Sequence, residues 1–187
     1  MGSYFNPGNG LFQIASSSKI YVDKTEMIGY TNSVLCSEQR FICVSRPRRF
    51  GKSMAVNMLA AYYSKGCDSK ELFSDKKIAD CESYEKHRNK YHVLYLNMQE
   101  FLSKSKSVEE MFSIISRLFV KEAKKEFPEI EFFSETDLDW CVADVYQESQ
   151  IPFVILIDEW DCIFRVYKEN KKEQEKYLDL LRGLLKD

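Results

Sequence analysis

At 187 residues the chain has the size of one domain able to bury a core of its own. Its 44% hydrophobic and 14% aromatic content is an ordinary globular composition, which sets aside the disordered and fibrous classes. A net charge of −2 argues against non-specific binding to nucleic acid through bulk electrostatics; positive charge is concentrated locally instead, in Arg46, Arg48, Arg49 and Lys52.

The N-terminal stretch MGSYFNPGNG holds no apolar run, so no signal peptide is predicted. No segment approaches the length of a membrane span. The six cysteines are scattered, with no Cys-x-x-Cys pair, which predicts reduced thiols in a soluble, cytoplasmic protein. His87 and His92 read as a surface residue and a strand-start residue, and their spacing suggests no metal role.

In chain order, residues 1–18 read as an irregular arm rich in Gly, Asn and Ser, with Phe5, Leu11, Phe12 and Ile14 as anchors. Ile20-Tyr21-Val22 is a short extended piece, and Asp23-Lys24-Thr25-Glu26 fits a capping box opening a helix to about Cys36. Phe41-Ile42-Cys43-Val44 reads as a short buried strand. After Ser53, apolar residues at 54, 56, 59, 60 and 63 predict a helix that stops near Gly66. Residues 67–90 read as short helices and loop, and Val93–Leu96 as a second strand. Ser107 and Glu110 form another capping box, opening a long amphipathic helix that Pro128 halts. A helix over about 136–147 comes next. Phe153–Ile157 then has the length and β-branched content of a strand buried on both faces. A charged helix over about 170–185 closes the chain. Strands alternating with helices predict an α/β fold with a mainly parallel sheet.

Two stretches carry chemistry. The first is FICVSRPRRFGKS, a strand, a loop of phosphate size and a helix whose first turn holds Lys52 and Ser53. A helix N-terminus offers unpaired N–H groups and partial positive charge, so it suits an anion. Lys52 would add a mobile ammonium for the terminal phosphates, and Ser53 a hydroxyl for Mg²⁺. The loop is unusual: Arg46 stands where a phosphate loop ordinarily has glycine, five positions before Gly51. Either its first half folds differently or it is not a phosphate loop. The second stretch is the apolar run that ends in Asp158-Glu159. Ligands of α/β sheets gather at the carboxyl ends of strands, so an acid there faces phosphates. Asp158 would hold Mg²⁺ through water and Glu159 would take a proton from the attacking water. The plainer reading is that both acids merely cap the segment after the strand. The correct order of the two stretches, each behind an apolar strand, favours a nucleotide site.

IYVDKTEMI, SRPRRFGKSMAVNMLAAYY and VILIDEWD, in this order and at these intervals, resemble the bacterial AAA-ATPase-like proteins. The resemblance runs from Asn6 to Asp161. It implies a P-loop NTPase-like three-layer sandwich, ATP and Mg²⁺ as ligands, and an arginine at position 46 as a trait of the family. Carried over, Arg46, Pro47, Arg48, Arg49, Phe50, Gly51, Lys52 and Ser53 form the phosphate loop. Lys52 and Glu159 take the catalytic positions, and Ser53 and Asp158 the metal positions. It also implies that Tyr21–Thr25 is a structural or nucleotide-adjacent element. In this family the ATPase-like region is often joined to a C-terminal nuclease-like domain of the PD-(D/E)xK type. The partners implied are therefore ATP, that domain, a nucleic acid indirectly and other copies in an oligomer, but no membrane.

No strand bearing a residue that senses the γ-phosphate is found after Asp158, nor any nuclease motif. The chain thus reads as an N-terminal portion of a larger protein or a naturally short form, with a sheet incomplete at its C-terminal side. A non-hydrolysing nucleotide-binding or interaction module is the alternative to an ATPase, and a kinase ranks third because no acceptor pocket or lid is marked. Arg48 and Arg49 read either as phosphate contacts or as partners of acids such as Asp161. Phe50 and Trp160 either cover an adenine or pack.

Overall fold

The computed structural model describes residues 2–45 and 50–185 and shows a mixed α/β chain with a two-stranded parallel sheet and many helices. The chain divides into two compact units, Met1–Tyr95 with Phe153–Leu156, and Leu96–Pro152 with Ile157–Asp187.

In the first unit the N-terminal segment is more ordered than an irregular arm. Gly10–Ser16 forms a helix (α1); Phe5 and Phe12 are buried, while Leu11 and Ile14 are exposed. α2 (Glu26–Val34) does not begin with the expected capping box. Thr25, the cap residue, has helical backbone angles, and its hydroxyl accepts the Ile78 N–H at 3.1 Å instead of a first-turn amide of its own helix. Asp23 accepts the Thr25 N–H at 2.8 Å and the Lys77 N–H at 2.9 Å. These two side chains therefore tie α2 to the 3₁₀ turn over Lys77–Asp80.

α3 (Lys52–Tyr63) carries the core of this unit. Its last six residues, Met58–Tyr63, are all buried, the signature of a helix end enclosed on every side. Tyr62 and Tyr63 anchor a polar network: Asn32 donates to the Tyr62 hydroxyl at 3.0 Å and accepts from the Tyr63 hydroxyl at 2.7 Å, while Tyr62 donates to the Tyr84 carbonyl at 2.7 Å. Burial pushes the Tyr62 phenol up to about 12, and that of Tyr63 further in the same direction. α4 (Lys70–Phe73) and α5 (Tyr84–His87) complete the set of short helices expected over 67–90. His87 is buried, with Nδ1 2.6 Å from the Tyr91 hydroxyl, so the surface reading of this residue is corrected. Burial, then the Lys86 charge, lowers its pKa.

The sheet pairs β1 (His92–Asn97) with β2 (Phe153–Asp158). On the first-unit side, Tyr4–Asn6 bonds to the β1 backbone through Tyr95 N–H to Tyr4 O and Asn6 N–H to Val93 O, both 2.8 Å. The strand expected over Phe41–Val44 is absent. Those residues have no ladder among the described residues, and Phe41 is 58% exposed. An apolar tetrapeptide becomes a strand only when it pairs with a neighbouring edge, and Phe41–Val44 makes no such pairing among the described residues. With no further strand paired to it among the described residues, β2 is half-buried over Phe153–Ile157 and not enclosed on both faces.

The second unit is helical. α7 (Val108–Glu126) buries Val108, Met111, Phe112, Ile115, Phe119, Val120 and Ala123, the stripe its periodicity predicts, and ends just before Pro128. The Ser107 half of its capping box forms, the hydroxyl accepting the Glu110 N–H at 3.1 Å, while the Glu110 carboxylate accepts the Lys106 N–H at 2.7 Å, one residue before the cap. α6 (Met98–Leu102) and α8 (Leu138–Ser149) pack against α7. α10 (Lys171–Leu184) supplies Glu173, whose carboxylate accepts the Val108 N–H at 3.0 Å and so adds a second cap to α7. Between β2 and α10 lies α9 (Cys162–Val166).

Candidate functional site

Within the first unit the motif begins at Gly51. Its φ of +78° lies in the left-handed region, where a side chain is disfavoured, and its carbonyl accepts the Ala55 N–H at 3.0 Å to start α3. Lys52 and Ser53 are the first two residues of that helix, as the sequence predicts, and Ser53 is exposed. No acidic residue occupies the first turn, so the positive end of the helix dipole is not offset from within α3. The positions of Arg46, Pro47, Arg48 and Arg49 lie outside the described residues. Phe50 is exposed, as a side chain beside a helix start with no hydrophobic cover must be.

Lys24, from the IYVDKT stretch, brings its ammonium to 3.8 Å from where a Cβ on Gly51 would sit. This side chain places the Tyr21–Thr25 element beside the start of α3. Asp23, next to it, is fixed by its two backbone hydrogen bonds. Burial pushes its carboxyl up, but the Lys77 and Thr25 N–H groups and the Lys76 charge outweigh this, leaving it below the usual range. Tyr21 moves the other way: burial first, then Asp23 and Asp75, push its phenol up to about 12.

Within the second unit the acids lie at the end of β2. Asp158 is 4% exposed; one carboxylate oxygen accepts the Glu159 N–H at 3.0 Å. The other, Oδ2, is sealed from solvent and has no hydrogen-bond partner among the described residues. An ionised oxygen buried without a donor is costly unless a cation meets it. A hard carboxylate oxygen of this kind fits Mg²⁺, which takes one or two protein oxygens and keeps several waters. Among the described residues no group of three or more His, Cys, Asp or Glu is placed to hold a metal ion.

Glu159 has φ of +53°, an uncommon conformation for a residue with a side chain. Its carbonyl accepts the Cys162 N–H at 3.0 Å, and its carboxylate forms an ion pair with Arg165 of α9. Arg165 also lies 3.7 Å from Asp161, the acid that the sequence offers as a partner for Arg48 or Arg49. Sequence reasoning misses Arg165; the one signal for it is its i,i+4 spacing to Asp161 on a short helix. The Glu159 hydrogen bond and the two nearby acids raise the guanidinium pKa further. Trp160 is half-exposed, sits edge-on to Phe164 at 6.1 Å, and has its carbonyl held by the Tyr177 hydroxyl at 2.8 Å. That contact is packing of the loop onto α9 and α10.

No helix among the described residues is long and apolar enough to cross a membrane. No curated protein and no solved structure matches the chain. The sequence model of the AAA-ATPase-like family, described as a predicted AAA-ATPase, matches residues 11–187. With a glycine-initiated Lys-Ser helix in one unit, a buried acid closing β2, and a family match over nearly the whole length, the chain belongs to the predicted AAA-ATPase family.

Proposed function

We propose that this chain binds ATP with Mg²⁺ and hydrolyses it. The observation that carries the reading is Asp158 Oδ2, a buried carboxylate oxygen with no partner among the described residues at the end of an apolar strand. In this reading the N-terminal amides of α3 and Lys52 hold the phosphates, with Lys24 adding a second ammonium beside Gly51. Ser53 and Asp158 are the oxygen donors for the metal. The bound ion would neutralise phosphate charge as it develops. Glu159 accepts the proton of the attacking water. Assignment of the two motifs to one nucleotide comes from their order in the sequence and from the family. Neighbouring nuclease-like activity, a nucleic-acid client and an oligomer are carried by the resemblance alone.

A non-hydrolysing nucleotide-binding module is the second reading, in which the Arg165 ion pair would keep Glu159 from a water instead of aiming it at one. Calorimetric titration with ATP-Mg²⁺ and phosphate release decide between the two. The expected result is binding that Lys52→Ala weakens at least tenfold, and turnover that Glu159→Gln lowers at least a hundredfold to a measurable residual rate while binding persists. Binding without turnover in the parent chain selects the second reading. A Lys52→Ala variant that binds as tightly as the parent overturns both.

A further inference from the structure

The loop between β2 and α9 fixes Glu159 at three points. Its N–H donates to Asp158 Oδ1 at 3.0 Å, its carbonyl accepts from Cys162 at 3.0 Å, and its carboxylate is gripped by Arg165. Arg165 is itself held from below: its own N–H donates to the Asp161 carbonyl at 3.3 Å, and Asp161 Oδ1 lies 3.7 Å from the guanidinium. The left-handed backbone at Glu159 costs free energy in a residue with a Cβ. Both side chains of the pair are about 30% exposed, and an ion pair at such a surface contributes little to stability. The loop thus retains a strained glutamate and an arginine aimed at it, at a place where stability alone gives little reason for either.

We propose that Arg165 is the positioning residue for Glu159. Its guanidinium takes one carboxylate oxygen and sets the direction of the other, so that a water is met in a single geometry. A glutamate without this restraint would sample several rotamers, and misplacement of a proton acceptor by about 1 Å costs up to roughly a hundredfold in rate. The inference rests on the hydrolytic reading of Glu159 given under Proposed function.

The test is steady-state ATP turnover and nucleotide binding by the full chain carrying Arg165→Ala, Arg165→Gln or Arg165→Lys, each in the parent and in a Glu159→Gln background. Arg165→Ala and Arg165→Gln lower kcat at least tenfold with KM for ATP unchanged, and Arg165→Lys recovers part of the loss. In the Glu159→Gln background the same substitutions lower the residual rate no further. Arg165→Gln keeps most of the side-chain volume and covers the case in which Arg165→Ala fails to fold. A kcat within twofold of the parent, or an equal loss in the Glu159→Gln background, overturns the positioning role while leaving the ATPase reading intact. A parent chain that binds ATP without turnover overturns the hydrolytic reading and this inference with it.

Discussion

Asn6 reaches His92 across 86 positions of sequence, with its amide nitrogen 2.9 Å from the His92 Nδ1 atom. Its amide oxygen accepts the Val93 N–H at 3.0 Å, and its own N–H donates to the Val93 carbonyl at 2.8 Å. Asn6 has φ of +49°, which asparagine tolerates better than most residues. Asn6→Ala would leave the Val93 N–H buried without its acceptor and strain the backbone. The expected loss is about 2–4 kcal/mol in urea denaturation. Asn6→Asp, which keeps the acceptor for Val93, is expected to lose less.

Gly66 packs against the same residue. A Cβ there would lie 2.5 Å from the Asn6 carbonyl oxygen and 3.0 Å from Asn6 Cβ. Because the closest atom is backbone, no side-chain rotation relieves the overlap. Gly66→Ala is expected to destabilise by more than about 2 kcal/mol, and its cost should fail to add with that of Asn6→Ala in a double-mutant cycle.

Asn32 joins α2 to α3 by donating to Tyr62 and accepting from Tyr63, and it also donates to Ser83 Oγ at 3.0 Å. Thr31 Oγ1, 2.6 Å from the Tyr63 hydroxyl, gives that phenol a second partner. Asn32→Leu should therefore cost about 1–3 kcal/mol by thermal denaturation. Adding Thr31→Val should cost more than its own single effect, because Tyr63 then loses both partners.

Asp158 Oδ2 is buried with no partner among the described residues, an arrangement that opposes folding unless a cation meets it. Asp158→Asn removes the buried charge, and the expected outcome is a thermal midpoint about 2–4 °C higher without ligand. The same variant should lose the stabilisation that ATP-Mg²⁺ confers on the parent. A variant that stays as responsive to ATP-Mg²⁺ as the parent removes Asp158 from the metal role.

Acid should weaken the protein through two carboxyls. The Val108 N–H holds the Glu173 carboxyl below its ordinary range, against opposing burial and with help from the Lys176 ammonium. Asp23 is lowered as well, its backbone hydrogen bonds outweighing burial. A folded-state pKa below the unfolded value means that the contribution is present above the unfolded pKa, about 4, and is lost as pH falls through the folded one. Stability measured by urea midpoint should thus hold near pH 6 and drop below about pH 4. Glu173→Gln should flatten that drop.

Both described sheet strands, the helix cap at Ser107, the stop before Pro128 and the placement of Lys52 and Ser53 at a helix start were legible in the sequence. Each depends on residues within a few positions of one another, so periodicity and cap chemistry are enough to encode it. The place of Asp158 was legible too, because an acid after five apolar residues marks the end of an apolar strand. That one of its oxygens has no partner among the described residues was not, since burial of a single atom depends on everything packed around it.

Only the tertiary structure decided the rest. Phe41–Val44 has strand composition but pairs with no strand among the described residues, and hydrogen bonding across a sheet is a property of two segments. Asp23 and Thr25 have capping chemistry, yet spend it on Lys77 and Ile78, more than fifty positions away. Arg165 meets Glu159 across a turn that contains a left-handed residue, a conformation that composition does not announce. Sequence by itself set which local shapes were favourable and which residue types carry charge at the site. Folding chose the partners, because burial forces each polar group to find a donor or acceptor wherever the packed chain supplies one.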